Sequence, residues 1–447
     1  MIVFYLSMDS IKNFSEIVGY HAYLKGYYQL LETSLSSFFS ANVSIAPSPL
    51  SGLFKEYGID VKSNPRRLVY LPDGRKGDKA IMVVAVKDGN TSYILGIKFI
   101  IRPIGKITKT LDCTCHAITE ILNTGPKTYF TEAYHLLDET LIVDIISKLL
   151  SVGYNPFRLK YLIRYFIRLR ATTFEGKYFS SGLIVTTRLS SYRDQLSHIG
   201  KTISLDEKKR FSIFEPIKNR QWYLADGVYT FYVLTGDWGY VSDMFIPTYD
   251  DSDFLAQIML KNTLKGHDFM MRVENGRDLS IFTSRGIEIV NQENIWHYRD
   301  YSILKSILTE KIPLDDKVFS SILYFVRFCS KNDVSSIIWI VANDDIVDKP
   351  LKFINRTDKH SIMVTDRSST GLIKRFLSSD GATVIKSDGL VLGYGGIVDN
   401  QKIVITETKG TGEAAAQLLA KDGIAIKVSQ DGSIKVYYND HDKAFVF

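Results

Sequence analysis

The chain has 447 residues, 45% of them hydrophobic and 23% charged, with a formal net charge of +6. These proportions exclude an intrinsically disordered chain and describe a globular one with enough Tyr and Phe to fill its cores. The length suggests roughly two to four domains, and so mild a positive charge suits an anionic ligand without indicating nucleic acid by itself.

The opening MIVFYLSMDS lacks the basic start and small-residue cleavage site of a signal peptide, and reads as a first strand or as a segment before a start at Met8. Three cysteines, Cys113, Cys115 and Cys329, fit a reducing compartment better than a disulfide framework. No apolar run approaches the ~18 residues that span a bilayer. The expected setting is the cytoplasm, with no membrane partner.

Residues 1–170 read as a mixed α/β domain. Apolar residues recur at helical spacing over 11–39. A strand pair is expected at 80–89 and 91–103, turning at Lys87-Asp88-Gly89-Asn90, with helices at 114–123 and 129–151. The cluster Cys113-Thr114-Cys115-His116 contains metal-ligand types but no second pair at zinc spacing, so buried thiols are the expectation. The run 156-PFRLKYLIRYFIRLR-170 is a basic amphipathic helix, suited to an acidic partner or a phosphate-rich surface, or to a surface helix that snorkels its basic side chains around an apolar stripe.

From 171 to 302 the pattern turns β-rich and α+β. Strands are expected at 181–187, 228–236 and 279–290, a helix at 252–266, and an exposed connection at 201–210. Residues 303–447 form the third predicted domain. Helices are expected at 303–314, 316–332 and 370–379, and a buried strand at 336–343. Strand pairs follow at 380–398 and 424–438, turning at Asp388-Gly389 and Asp431-Gly432. The fold class is therefore α/β, with a C-terminal mixed sheet flanked by helices and one or two α+β domains before it.

Two short segments carry the candidate chemistry. Asp380-Gly381 stands where a helix gives way to a strand. An Asp there can hold Mg²⁺ or Mn²⁺ with a nucleotide's phosphates, and the glycine admits a ligand close to the backbone. In 408-TKGTGEAAAQLLA-420 a helix begins near Gly412 or Glu413. Its unpaired N–H groups favour an anion, Lys409 and Thr411 add donors, and Glu413 opposes with its own charge. Each segment alone reads equally as a turn or a helix cap.

Together, 380-DGATVIKSDGLVLGYGGIV-398 and 410-GTGEAAAQLLAKDGIAIKVSQDGSIKVYY-438 resemble the diadenylate cyclase domain of DNA-integrity scanning and membrane-associated cyclic di-AMP synthases. That family carries Asp-Gly-Ala on a strand. About thirty residues later comes Gly-Thr-Arg-His-Arg-Ala-Ala, then a helix and a strand ending Val-Ser-Glu-Glu. The resemblance spans roughly 316–438. Asp380, Gly381 and Ala382 match the first motif; Gly410, Thr411, Ala415 and Ala416 match the ends of the second; Ser429 matches the later serine. Gly412, Glu413 and Ala414 stand where the family has Arg, His and Arg, and Gln430 where it has a carboxylate.

The resemblance implies a nucleotide pocket at Asp380, Gly381, Ala382, Lys409, Gly410, Thr411, Gly412, Glu413 and Ser429, with Asp380 as metal ligand and catalytic only if the site is active. It also implies a homo-oligomer through this domain. Losing the cationic clamp removes what neutralises the departing pyrophosphate. The expected function is thus a nucleotide-binding sensor, as in degenerate family members of bacterial signalling and conflict (anti-phage) systems. The alternatives are an active cyclase making cyclic di-AMP from ATP, and an inert scaffold or dimerisation module.

Overall fold

The β-branched runs of the sequence become strands of mixed sheets in a computed structural model, and the 3.6-period segments become helices beside them, a mixed α/β protein. The structure describes residues 31–48, 71–72, 79–85, 92–98, 109–114, 116–118, 134–150, 154–187, 193–194, 196–198, 200–206, 210–235, 240–247, 264–274, 276–292, 294–399, 410–438 and 444–446. The chain divides into two compact units. The first holds residues 1–246, 265–283 and 288–298; the second holds 247–264, 284–287 and 299–447.

In the first unit, 31–39 is helical. The strand pair expected at 80–103 is present as Lys79–Ala85 against Ser92–Lys98, with Asn42–Ser48 on the far side of the second. Its turn lies outside the described residues. The helix expected at 129–151 spans Tyr134–Leu150. The basic helix spans Pro156–Arg170, with Asn155 Oδ1 accepting from the Phe157 N–H at 2.9 Å. An eight-stranded sheet follows, and its neighbour Trp222 packs edge-on against Phe166, Phe211 and Tyr232 while its Nε1 donates to the Tyr165 hydroxyl at 2.8 Å.

Three expectations change here. The run 279–290 is two strands, Asp278–Thr283 and Ile287–Gln292, because Gly286 (φ 82°) reverses the chain. Part of 201–210 is strand: Gly200–Ser204 sits at the sheet edge, where its polar side chains can face water. Strands Val241–Pro247, Phe269–Glu274 and Ile295–Asp300 join the sheet as well. Most of the helix expected at 252–266 lies outside the described residues, and Leu264–Gly266 is not helical. Cys113 is a buried free thiol on a helical turn, and Cys115 lies outside the described residues.

The second unit positions the candidate site. Helices α1 (Tyr301–Lys311) and α2 (Asp316–Lys331) lead into strand β1 (Ser336–Val341). Strand β2 (Leu351–Arg356) and helix α3 (Thr370–Leu377) then carry the chain to β3 (Ala382–Lys386), which runs parallel to β1. Next come β4 (Val391–Val398), helix α4 (Thr411–Leu419), β5 (Ile424–Val428), β6 (Ile434–Tyr438) and β7 (Phe445–Val446). The sheet order is β2-β4-β3-β1-β5-β6-β7, with every pair but β1–β3 antiparallel. β2 follows Pro350 and is half exposed at the sheet edge, which is why 351-LKFINR-356 carries no strand signal.

All six residues of β1 are buried, because helices cover both faces of the sheet. Ile337, Trp339 and Val341 join Ala382, Val384 and Ala425 under Ala416 and Leu419 of α4 and its C-cap Ala420. The alternate residues Ile338 and Ile340 point to the opposite face. The two turns read as Asp-Gly are hairpin turns: Gly389 (φ 93°) and Gly432 (φ 79°) take left-handed backbone, and Asp388 and Asp431 accept from Leu390 and Ser433 N–H.

Candidate functional site

Register alone brings the motifs to one edge. Ile337 near the start of β1 pairs with Ala382 at the start of β3 on one side and with Lys427 near the end of β5 on the other. The N-terminus of α4 packs over this corner, against β1, β5 and β6. The Asp380-Gly381-Ala382 turn, the Gly410-Thr411-Gly412 loop and Ser429 therefore belong to one neighbourhood, although 49 positions separate Asp380 from Ser429 (429 minus 380). Lys409 lies outside the described residues.

Gly381 adopts φ 94° against the backbone of β4, where an added Cβ would lie 2.7 Å from the Gly396 carbonyl oxygen. Ala382 is buried in the sheet. Asp380 is exposed, and its Oδ1 accepts from the Gly381 N–H at 2.9 Å. Among the described residues, no three His, Cys, Asp or Glu side chains converge as a metal set. A divalent cation at Asp380 would rely on a ligand's phosphates for most of its oxygen shell.

At the other wall, Gly410 is the N-cap of α4 without a side-chain cap, and its carbonyl accepts from Glu413 and Ala414 N–H at 3.1 and 3.2 Å. No described group accepts from the Thr411 or Gly412 N–H. Among the described residues, a Cβ on Gly410 would meet nothing within 4 Å. These are the conditions under which a helix start receives an anion.

The sequence reading missed the cation of this site. Lys427 on β5 is only 8% exposed, and its ammonium donates to Ser335 Oγ at 2.6 Å and to the Val428 carbonyl at 2.9 Å. Its Cε lies 3.1 Å, and its Nζ 3.6 Å, from where a Cβ on Gly412 would stand. The glycine that replaces the family's first arginine thus leaves room for a lysine arriving from the sheet below. No described carboxylate is in ion-pair contact with Lys427. Burial pulls its pKa below the ordinary lysine value, while the charges of Glu413, Asp431 and Asp380 around it pull the other way.

Glu413 does not face the ligand space as an unpaired charge. It is ion-paired with Lys435 and accepts from the Tyr437 hydroxyl. Burial raises the Tyr437 pKa, and the charge and hydrogen bond of Glu413 raise it further. The repulsion expected of Glu413 toward a phosphate is therefore largely offset within the protein. Ser429 sits in the β5–β6 turn, where its N–H donates to Ser433 and its carbonyl accepts from Gly432. Beneath the corner, burial pushes the Cys329 thiol up to about 12, which keeps it protonated and inert.

No family model matches the chain, and no curated protein matches it in sequence. Among solved structures, a hypothetical membrane spanning protein from Bacillus cereus is similar at 14% identity and a TM-score of 0.27, over 33% of this chain and 69% of that one. A double cysteine mutant of DacA from Staphylococcus aureus is similar at 16% identity and a TM-score of 0.21, over 30% of this chain and 88% of that one. Likeness at this level carries no chemistry across. Among the described residues, no helix is long and apolar enough to cross a membrane.

Proposed function

We propose that the second unit binds a nucleotide or nucleotide-derived signal by its phosphates at the corner between Asp380 and the start of α4, and that the protein acts as a sensor. The observation that carries this reading is the buried ammonium of Lys427, in ion-pair contact with no described carboxylate, set beside two helix N–H groups from which no described group accepts. A buried charge beside the positive end of a helix is costly when empty and is relieved by an anion. Thr411 and Gly412 would donate to phosphate oxygens, Lys427 would neutralise them, and Asp380 would hold Mg²⁺ or Mn²⁺ together with the same phosphates. The resemblance to diadenylate cyclase domains supports a nucleotide as the phosphate bearer and a bacterial signalling or conflict setting.

The same geometry argues for binding over catalysis. Phosphoryl transfer needs cations placed on both the attacked and the leaving phosphates. Gly412, Glu413 and Ala414 supply none, and Lys435 is engaged by Glu413. Titrating the full chain with ATP, cyclic di-AMP and pyrophosphate, each with Mn²⁺, tests the reading by thermal shift and mass spectrometry. A rise in melting temperature with at least one ligand and an unchanged ligand mass is expected. At a hundredfold excess over Kd the stabilisation is about 2.7 kcal/mol. A cyclic dinucleotide product that vanishes in Asp380→Ala would make the protein a cyclase, and no shift with any of them would remove the sensor reading.

A further inference from the structure

Strand β2 (Leu351–Arg356) ends one side of the second unit's sheet, and no described strand pairs with its outer edge. The Thr357 N–H donates inward to the Leu392 carbonyl at 2.9 Å, so by alternation the backbone of Arg356 faces outward. An edge of this kind presents N–H and C=O groups to which another strand can bond. Lys352 and Arg356 guard it against a second copy of itself, because like charges would meet across such a pair.

A cleft of about 720 Å³ runs along this edge. Residues 353–357 line it one after another. Successive side chains of a strand point to opposite faces, so the cleft follows the strand itself and not one face of the sheet. One wall is aromatic: Phe376 of α3 stacks on the Tyr394 ring of β4, with centroids 4.2 Å apart and planes at 5°. The large apolar side chains that the described part of the second unit leaves open to water gather here. Phe353, Leu372 and Ile397 are 53%, 44% and 48% exposed; Phe353 pairs with Ile397 in register, and Phe353 and Leu372 line the cleft.

The rim is cationic. From 351 to 362 the sequence holds Lys352, Arg356 and Lys359 against Asp358. Arg356 is paired with Asp348 at 2.6 Å, a carboxylate 73% exposed, and so shallow a pair is cheaply exchanged. Among the described residues, no acidic side chain pairs with Lys352 or Lys359.

We propose that this edge receives an extended acidic peptide of a partner protein, which adds to the sheet as a strand beside β2. Main-chain hydrogen bonds would hold it, and the cleft would take its alternate side chains. An apolar residue enters against Phe353, Leu372 and Phe376, and acidic residues between the apolar ones meet the cationic rim. A helical partner would leave the edge groups of β2 unpaired. Strands β4, β3 and β1 lie between β2 and β5, which carries Lys427, so this surface is separate from the cation of the nucleotide site.

Fluorescence anisotropy of the full chain with the labelled octapeptide Glu-Val-Glu-Phe-Glu-Val-Glu-Thr tests this. Saturable binding is expected, and a peptide with lysine in place of every glutamate should not bind. N-methylation of alternate residues should abolish binding in one phase and spare it in the other, because only one edge of an added strand bonds to β2. Phe353→Ala and Leu372→Ala, at side chains about half exposed, should each weaken binding roughly 5- to 30-fold. Lys352→Glu should weaken the acidic peptide and admit the lysine one, a reversal that lost folding would not produce. Lys427→Met should leave these affinities unchanged, so this test and that of the nucleotide site succeed or fail separately. The proposal is overturned if wild type does not bind the acidic peptide, if both N-methylated forms bind like the parent, or if acidic and lysine peptides bind alike. A wild-type dimer in sedimentation that Phe353→Ala turns into a monomer would assign the edge to a second copy, and would overturn it as well.

Discussion

Lys427→Met is expected to weaken phosphate-ligand binding at least roughly 30-fold, about 2 kcal/mol, the low end of what loss of a buried charged partner costs. The methionine keeps the volume of the side chain and removes only the charge. Lys427→Arg keeps the charge but needs more room than the gap beside Gly412 offers, where the lysine already passes at 3.1 Å from a notional Cβ. It should recover binding only in part. The same variant carries a pH signature. Burial lowers the folded-state pKa of Lys427 below its ordinary value of 10.5, so on the alkaline side the unfolded chain holds more protons than the folded one. Stability from this group therefore rises with pH as pH climbs through the depressed folded value towards 10.5. Cys329, raised by burial to about 12, works in the opposite direction in the alkaline range. The difference between wild type and Lys427→Met isolates the lysine: without ligand, wild type should gain on the variant as pH rises. Chemical denaturation of both proteins across that range checks it.

Gly381→Ala is expected to destabilise the second unit by about 4 kcal/mol, the sum of a strained left-handed backbone and an overpacked contact at their middle values. Both causes are present. The residue holds φ 94°, and the new methyl would stand 2.7 Å from the Gly396 carbonyl oxygen and 2.8 Å from the Gly395 carbonyl carbon. Backbone atoms of a central strand pair cannot move away without breaking the β3–β4 register at Ala382↔Gly396. The scanned melting transition of the second unit should fall, while the first unit's transition stays. Because the turn also aims Asp380, ligand binding should weaken at temperatures where the variant is still folded. A variant as stable as wild type would show that the turn relaxes freely, and would remove the reason for a glycine in the Asp-Gly-Ala run.

Local features of the second unit were legible in sequence. Helix α2 announces itself through Asp315, whose side chain accepts from the Lys317 N–H, and through an apolar stripe at helical spacing. The two Asp-Gly turns are hairpins because glycine alone tolerates their backbone cheaply, a property of two adjacent residues. The Asp380 turn and the Gly410 loop were found by the same kind of signal, and the structure brings them to one corner.

What sequence could not show depended on partners far along the chain. In 424-IAIKV-428 a lysine reads as the solvent side of an alternating strand. It is buried because Ala425, on the same face, packs under α4, so Lys427 must enter the same space. That alternation, with apolar residues on both faces of β5, was the available signal. Glu413 likewise read as a charge facing the ligand, and only the register Lys427↔Lys435 places Lys435 and Tyr437 where they can take it. β2 was invisible because an edge strand need not be apolar, and 279–290 read as one strand because its turn, Ser284-Arg285-Gly286, lies inside a β-branched run.

The central claim is that the N–H groups opening α4 and the ammonium of Lys427 receive the phosphates of a nucleotide ligand. Hydrogen exchange by mass spectrometry, on the full chain with and without the ligand that gives the largest thermal shift, tests it most directly. The prediction is slowed exchange in peptides covering 410–419 and 424–433, lost in Lys427→Met, with peptides of the basic helix 156–170 unchanged. Ligand protection confined to other segments, or unaltered by Lys427→Met, would contradict it.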